Sequence, residues 1–394
     1  MTDLQQFTEE VRSFLSEKLT PELQRAGMLE AGIYADRPVA ETWLKILNEQ
    51  GWAVPGWPLE WGGTGWSAKQ HSIWQQELTL SSAPALPPNG PKMVAPAIMH
   101  YATEEQKQYY LPRIREGVDW WAQGYSEPGA GSDLSSLKCA AIKDGNEYVI
   151  NGTKTWTTHA HFCNRMFCLV RTDNSGTQQQ GITFLLFDID LPGIEIQPII
   201  SISGDHEFNQ VFFTDARVPV SGRLGSENDG WSVAKYLLTH ERGGKTATAM
   251  IMKINRLRTF LDNESEAGFD LRDDAGYMRK LACHEIELEA YVAFEERIFS
   301  SVAAGQSIGT VSSVLKIRGT ELRQQMDELL LDAINYYGLP YQPGIREFRN
   351  NETPVGSDTA ATAMPRYLNN RAATIYAGSN EVQRNILSKR TLGL

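Results

Sequence analysis

The sequence has little that would send it to a membrane, to nucleic acid or to an oxidising compartment. No run approaches the ~18 consecutive apolar residues that a membrane span needs. Basic residues are in deficit: 37 Lys and Arg stand against 48 Asp and Glu, for a net charge of −11. That balance disfavours nucleic-acid binding, which needs a basic face. The four cysteines, Cys139, Cys163, Cys168 and Cys283, are scattered and form no CxxC pair. A reducing cytoplasm is the expected compartment. The opening MTDLQQFTEEVRSFLSEKL is acidic and amphipathic, unlike a secretory signal. Nor does the composition carry a disorder bias.

What is present is 394 residues, too many for one small core, so two or three domains or lobes are expected. Residues 1–120 read as helical. Phe7, Val11, Phe14 and Leu15 recur at helical spacing, as do Trp43, Leu44, Ile46 and Leu47. Thr103-Glu104-Glu105-Gln106 is a capping-box pattern, opening a helix expected to stop near Pro112. The Gly-, Pro- and Trp-rich stretch 51–66 reads as a structured loop whose aromatics pack.

Residues 121–230 change character. Asp144-Gly145 and Asn151-Gly152 are hairpin signals between alternating strands. MFCLVRT, GITFLLFDI, IEIQPII and NQVFFTDARVPV read as further strands of a small antiparallel sheet. Residues 231–394 return to helix. One long helix is expected from about Asp273 to Ser301, with Met278, Leu281, Ala282, Ile286 and Ala293 near helical spacing. Another runs through LRQQMDELLLDAI, and a last one starts near Asn380. The run Glu285–Glu296 reads as a solvated face. The fold class is therefore α+β and multidomain: helices, an antiparallel β domain, then a helical bundle. Segment 339–357, rich in Pro and Gly, reads as a loop or partner contact.

Two motifs carry candidate chemistry. GYSEPGAGSDLSS, residues 124–136, sets glycines and hydroxyls between a helical region and a strand. It suits either a tight turn or a loop whose amides approach a ligand closely. It has neither the Lys-Ser/Thr of a phosphate loop nor the full dinucleotide fingerprint. KTWTT, residues 154–158, offers either a packed Trp or a platform for a flat ring. His159-x-His161-x-Cys163 could share a strand face, but it lacks a fourth zinc ligand, and satisfied side chains are the better reading.

GYSEPGAGSD followed by INGTKTWTT resembles the acyl-CoA dehydrogenase family. The likeness extends through TEEQKQYYLPRIREG, VFFTDARVPV, GSENDGW, HERGG and IYAGSNEVQRNIL, in the right order over most of the chain. It is similar to the branch of pimeloyl-CoA dehydrogenase large subunits. The resemblance implies FAD between the sheet and the C-terminal helices, with residues 123–132 along the flavin. Gln123, Tyr125, Ser126, Gly131, Trp156, Thr158, Ser379 and Glu381 match cofactor positions. Ser132, Arg242 and Gly378 match substrate positions. It also implies α,β-desaturation of an acyl-CoA, with electrons passed to an electron-transfer flavoprotein.

The family's reaction needs a carboxylate base and an oxyanion donor. The family's usual base position is Ala377, which keeps the backbone N–H donor and loses the base. In HERGG, Glu241 before Arg242 matches the base of the long-chain and isovaleryl branches. The FAD-binding segments usually supplied by a neighbouring subunit are not kept in RTFLDNESEAGFDLRDDA or DAINYYGLPYQ; of the second pattern only Gly338 remains. A homodimer or homotetramer is the expectation, with a heterotetramer open. Two other functions stay open: a monooxygenase or oxidase on the same fold, and a non-catalytic partner subunit.

Overall fold

The computed structural model describes residues 3–241, 246–263, 270–306 and 308–394. The first region holds helices α1 (Asp3–Lys18), α2 (Pro21–Leu29), α3 (Arg37–Gln50), α4 (Ala68–Leu80), α5 (Ala95–Tyr101) and α6 (Glu104–Arg115). Phe7, Val11, Phe14 and Leu15 line one face of α1 and meet Trp43, Leu47, Trp52 and Trp74 in one core. Trp52 packs edge-on against Trp74 and Trp66, at 5.3 and 5.2 Å between ring centroids. Such pairs add about 0.5–1.5 kcal/mol beyond their buried area.

Thr103 caps α6 and Gln106 closes the capping box, as the sequence implies. Pro112 does not end this helix, which runs on to Arg115. Leu111 and Ile114 are buried on either side of it, and Arg113 is bonded to Asp119 at 2.8 Å. These contacts outweigh the hydrogen bond that proline gives up.

The sheet has eight strands: β1 (Trp121–Gly124), β2 (Ala140–Asp144), β3 (Glu147–Lys154), β4 (Arg165–Arg171), β5 (Ile182–Asp188), β6 (Ile194–Ile200), β7 (His206–Pro219) and β8 (Arg223–Leu224). Their order is β6-β7-β3-β2-β4-β5-β8, with β1 paired to β4. Most pairs are antiparallel, but β4 runs parallel to both β1 and β2. Every residue of β4 is buried. Its Phe167 and Leu169 face the helical core, while Met166, Cys168 and Val170 face the other half of the sheet.

Gly145 turns the β2–β3 hairpin with a φ of +61°. Asn151-Gly152 is not a second hairpin. It lies within β3 as a register shift between Ile150 and Gly152. A side chain on Gly152 would stand 2.7 Å from the Cα of Cys139, so the glycine serves a close backbone approach.

The remaining helices are α7 (Gly230–Glu241), α8 (Ala247–Asn263), α9 (Ala275–Ala303), α10 (Val311–Ile334), α11 (Asp358–Asn369) and α12 (Asn380–Leu387). Val233, Ala234 and Leu237 of α7 enter the core shared by the sheet and the first helices. The other helices enclose a core of their own. In α9 that core takes Tyr277, Leu281, Leu288, Tyr291 and Ile298, whereas Ala282 and Ala293 are exposed and Ile286 is 67% exposed. Of the expected positions Met278 and Leu281 do pack there, and the tyrosines carry much of the remaining buried stripe. Glu295 also leaves the solvated face. It is buried and accepts the amides of Thr246 and Ala247 at 2.7 and 3.2 Å, capping α8.

Polar contacts tie the three regions together. Arg25 meets Asp358 at 3.1 Å, Arg346 meets Asp205 at 2.6 Å, and Arg366 donates to the carbonyl of Glu30 at 2.8 Å. The Glu30 carboxyl is buried beside them with Oε1 unpartnered, and burial pushes its pKa up to about 8. The folded state therefore holds a proton that the unfolded chain gives up near its ordinary value of 4.5. Stability from this group is full below about pH 4.5 and is lost as pH rises through 8. Glu30→Gln should raise the melting temperature above pH 8 by a few degrees, roughly 1–2 kcal/mol. Thermal scans should show that gain vanish below pH 4.5.

Candidate active site

The two glycine- and tryptophan-bearing motifs meet through a buried ion pair. Lys154 ends β3 with its side chain fully buried. Its Nζ donates to the carbonyl of Tyr125 at 3.1 Å and to Glu127 Oε1 at 2.8 Å. The Glu127 carboxylate also accepts the amides of Lys138 and Cys139 at 2.7 and 2.9 Å. One main-chain bond completes the joint, from Thr155 N–H to the carbonyl of Ser126 at 2.9 Å. Desolvating two charges is costly, and this geometry offsets the cost by satisfying both. Residues 124–133 and 154–158 are therefore one construction. The sequence reading passed over Glu127 and Lys154, because nothing within either motif marks its charge as buried.

Beyond Lys154 the chain makes a strained turn. Trp156 has a φ of +58° and His159 one of +55°. A left-handed residue other than glycine costs roughly 1–2 kcal/mol. Strand β7 secures the turn. Thr157 N–H donates to the carbonyl of Asn209 at 2.9 Å, and His159 N–H to that of Glu207 at 2.8 Å. Fully buried Asn209 returns a bond to the carbonyl of Thr157 at 3.0 Å. Thr158 is thus bracketed by two anchored amides. Trp156 stands out 60% exposed, its ring edge-on to Phe208 at 6.1 Å.

The facing loop is open. Side chains at Gly129 and Gly131 would meet nothing within 4 Å, and Ser132 is exposed. An outstanding indole, a bracketed Thr158 and an open glycine rim fit a flat ring with polar edges, as a flavin has. Gln123 lies half-buried on β1, and Ser126 half-buried at the joint. The ring of Tyr125 turns inward against Phe167 and Phe184, at 5.8 and 6.3 Å. Behind Thr158 lies a mostly apolar cavity bordered by Phe162, Leu86, Asn89, Gly90, Ile114 and Trp121. Asn89–Val94 forms a wide π-type turn along it, a distortion common at functional sites.

His159, His161 and Cys163 do not alternate along a strand. They occupy the turn and a short 3-10 segment, Ala160–Phe162. His161 accepts from Asn209 at 3.0 Å and stacks on His206 at 3.8 Å. Burial pulls the pKa values of His159 and His161 down to about 4.

The third motif enters α12. Ala377 and Gly378 are successive left-handed residues, with φ of +53° and +83°. Both are exposed, and among the described residues the Ala377 N–H donates to nothing. A side chain on Gly378 would strike Gln383 Nε2 at 2.5 Å. Ser379 Oγ caps α12 by accepting from Val382 N–H at 3.3 Å. The Glu381 amide and the Ser379 hydroxyl hold the Glu381 carboxyl below its usual range. Two α10 cations back this turn, and the sequence reading missed them. Arg323 donates to the Tyr376 hydroxyl at 2.9 Å, and Lys316 donates to the carbonyl of Ala373 at 2.7 Å. Glu241 is the last residue of α7; its side chain, and all of Arg242, lie outside the described residues.

Removing one partner of the buried pair leaves the other uncompensated. Lys154→Met should cost about 3–5 kcal/mol. Urea denaturation should show this as a lower midpoint at unchanged slope.

Comparison with known proteins matches the three-part architecture. Residues 1–118, 122–216 and 228–392 match the N-terminal, middle and C-terminal domains of acyl-CoA dehydrogenases. The chain is 34% identical to acyl-CoA dehydrogenase IpdE1 of Mycobacterium tuberculosis, over 100% of this chain and 98% of that protein. It is 31% identical to acyl-CoA dehydrogenase FadE26 of the same organism, over 99% and 96%. Among solved structures, the Tcur3481-Tcur3483 steroid ACAD aligns with a TM-score of 0.85 at 29% identity, over 100% and 98% of the two chains. The ChsE4-ChsE5 complex of M. tuberculosis aligns at 0.82 and 29%, over 100% and 98%. With all three domains matched in order, on a sheet and two helical regions joined as described, this chain belongs to the acyl-CoA dehydrogenase family, oxidoreductases of the CH–CH bond and flavoproteins.

Proposed function

We propose that the chain binds FAD and desaturates the α,β bond of an acyl-CoA, passing electrons to an electron-transfer flavoprotein in the cytoplasm. The observation that carries this reading is the strained, anchored turn at Trp156–His159 facing an open glycine loop. Main chain from Gln123 to Gly131, with Ser126, Trp156 and Thr158, holds the ring system. Ser379 and Glu381 meet the cofactor at the start of α12, where a helix N-terminus favours negative charge. Ser132 meets the CoA arm.

FAD, when bound, would supply the two-electron acceptor for the β-hydrogen. The chain supplies the other half. Glu241, at the end of α7, removes the α-proton. The Ala377 N–H, unused within the described residues, donates to the thioester oxygen as negative charge grows there. Gly378 lets the chain pass beside it without a side chain, and Arg242 orients the substrate.

Two neighbours support a finer reading. The two paired structures are each named for two chains, and one is named a steroid enzyme. A hetero-oligomer acting on a ring-bearing acyl-CoA is therefore the first combination to test, ahead of the homodimer or homotetramer.

Glu241→Gln should keep its FAD while anaerobic bleaching by substrate slows at least ~100-fold. Bleaching at the wild-type rate would remove Glu241 from the role. Ala377→Gly should keep turnover within about twofold, since only the amide acts, and should gain roughly 1 kcal/mol by relieving left-handed strain. A chain that carries flavin only after a homologous partner is added, and is not bleached by any acyl-CoA, would instead be a non-catalytic subunit.

A further inference from the structure

Glu207 has no part in the chemistry above, yet it touches all three regions of the molecule. It lies in β7 and is 3% exposed. Its Oε1 accepts the Ile33 N–H at 2.6 Å, from the segment after α2. Its Oε2 accepts from Asn369 Nδ2 at 2.8 Å, at the end of α11. Its own carbonyl accepts the His159 N–H at 2.8 Å, closing the bracket on Thr158. The approach of the first region is close: a side chain on Gly32 would stand 3.1 Å from Glu207 Oε1.

The connection continues at the far end. Asn369 is followed by the short helix Asn370–Thr374 and then by Ala377. One buried residue thus links the turn carrying Trp156 and Thr158, through its main-chain carbonyl, to the segment that leads into the Ala377–Ser379 turn, through its side chain. A purely structural ion pair would serve as well with a cation in reach, but neither side-chain partner bond is to a cation: one donor is a main-chain amide and the other an uncharged carboxamide. Both donors are short and fixed, so they define position to within a hydrogen-bond length.

We infer that Glu207 is a positioning residue, which sets the flavin-facing turn at 156–159 against the turn at 377–379. The inference rests on the FAD reading above. Its premise is geometric: the side chain ties β7 at Glu207 to Ile33 and Asn369, and the carbonyls of Glu207 and Asn209 hold the amides on either side of Thr158. Asn369 acts through Glu207 in the same way.

The test uses Glu207→Ala and, as a milder change, Asn369→Ala, each in the full chain with any partner the wild type needs. Three readings are taken: FAD affinity, the absorption envelope of bound flavin, and amide exchange of the peptide spanning 155–163 in flavin-free protein. Glu207→Ala should weaken FAD by about tenfold or more through loss of the two hydrogen bonds that its side chain accepts. It should also shift the flavin envelope and raise exchange in 155–163, while 165–171 in β4 stays protected. Asn369→Ala should do the same to a smaller degree, and Glu207→Gln should recover part of the loss. If the variants only melt earlier, with affinity, envelope and 155–163 exchange unchanged, Glu207 is a packing residue and the inference fails. If Glu207→Ala does not fold, Asn369→Ala with an unchanged envelope and exchange overturns it alone. Wild-type protein that binds no FAD would sink the cofactor reading instead, and the exchange comparison would still decide the role of Glu207.

Discussion

The buried pair of Lys154 and Glu127 is the interaction on which the site depends. Two charges away from water are tolerated only when each finds partners, and here the carboxylate has three and the ammonium two. The consequence is positional. The pair fastens the loop after β1 to the end of β3, so two segments separated in sequence present one surface. Without it, the glycine loop would have no reason to face Trp156, since glycine contributes freedom rather than direction.

From that joint outward the molecule uses the backbone as its functional material. Trp156, His159 and Ala377 are all left-handed, and none is glycine. Strain of this kind persists only where surroundings over-determine it. At Trp156 and His159 the surroundings are the carbonyls of Asn209 and Glu207. At Ala377 they are the cap of α12 and the contacts of Asn380 and Gln383 with α10, at 3.2 and 2.7 Å. At the first place the amides of Thr157 and His159 are spent on holding the turn, whereas at the second the Ala377 amide has no acceptor among the described residues.

Much of this was legible in the sequence, and the failures have physical causes. Strands were readable because alternation and a glycine turn are local signals; β4, β5 and β7 fall where their apolar runs do. The capping box at Thr103 is local too. What escaped depended on partners far away. Asn151-Gly152 has the composition of a hairpin, but it lies inside β3 as a bulge, with Gly152 close against Cys139 just before β2. Glu295 sits in a charge run, yet the start of α8 recruits it as a cap. Pro112 should stop a helix, but packing carries the helix past it. In the site, glycines and Trp156 announced themselves by type. Lys154, Glu127 and Glu207 did not, because a buried charge looks like a surface charge until its partners are known.

The alanine at position 377 then becomes a statement about division of labour. A carboxylate there would place base and amide donor on one exposed, left-handed turn. Alanine leaves the turn to the amide. In the proposed reading the base comes from the end of α7, a helix whose Val233 and Leu237 are locked in the core it shares with the sheet. Each proposed function then rests on a different support: the donor on the cap of α12, the base on a helix fixed by apolar packing, and the turn at 156–159 on β7. A catalytic geometry assembled from three independent supports needs something to keep them in register. The polar contacts between regions, with Glu207 at their centre, are where this fold can supply it.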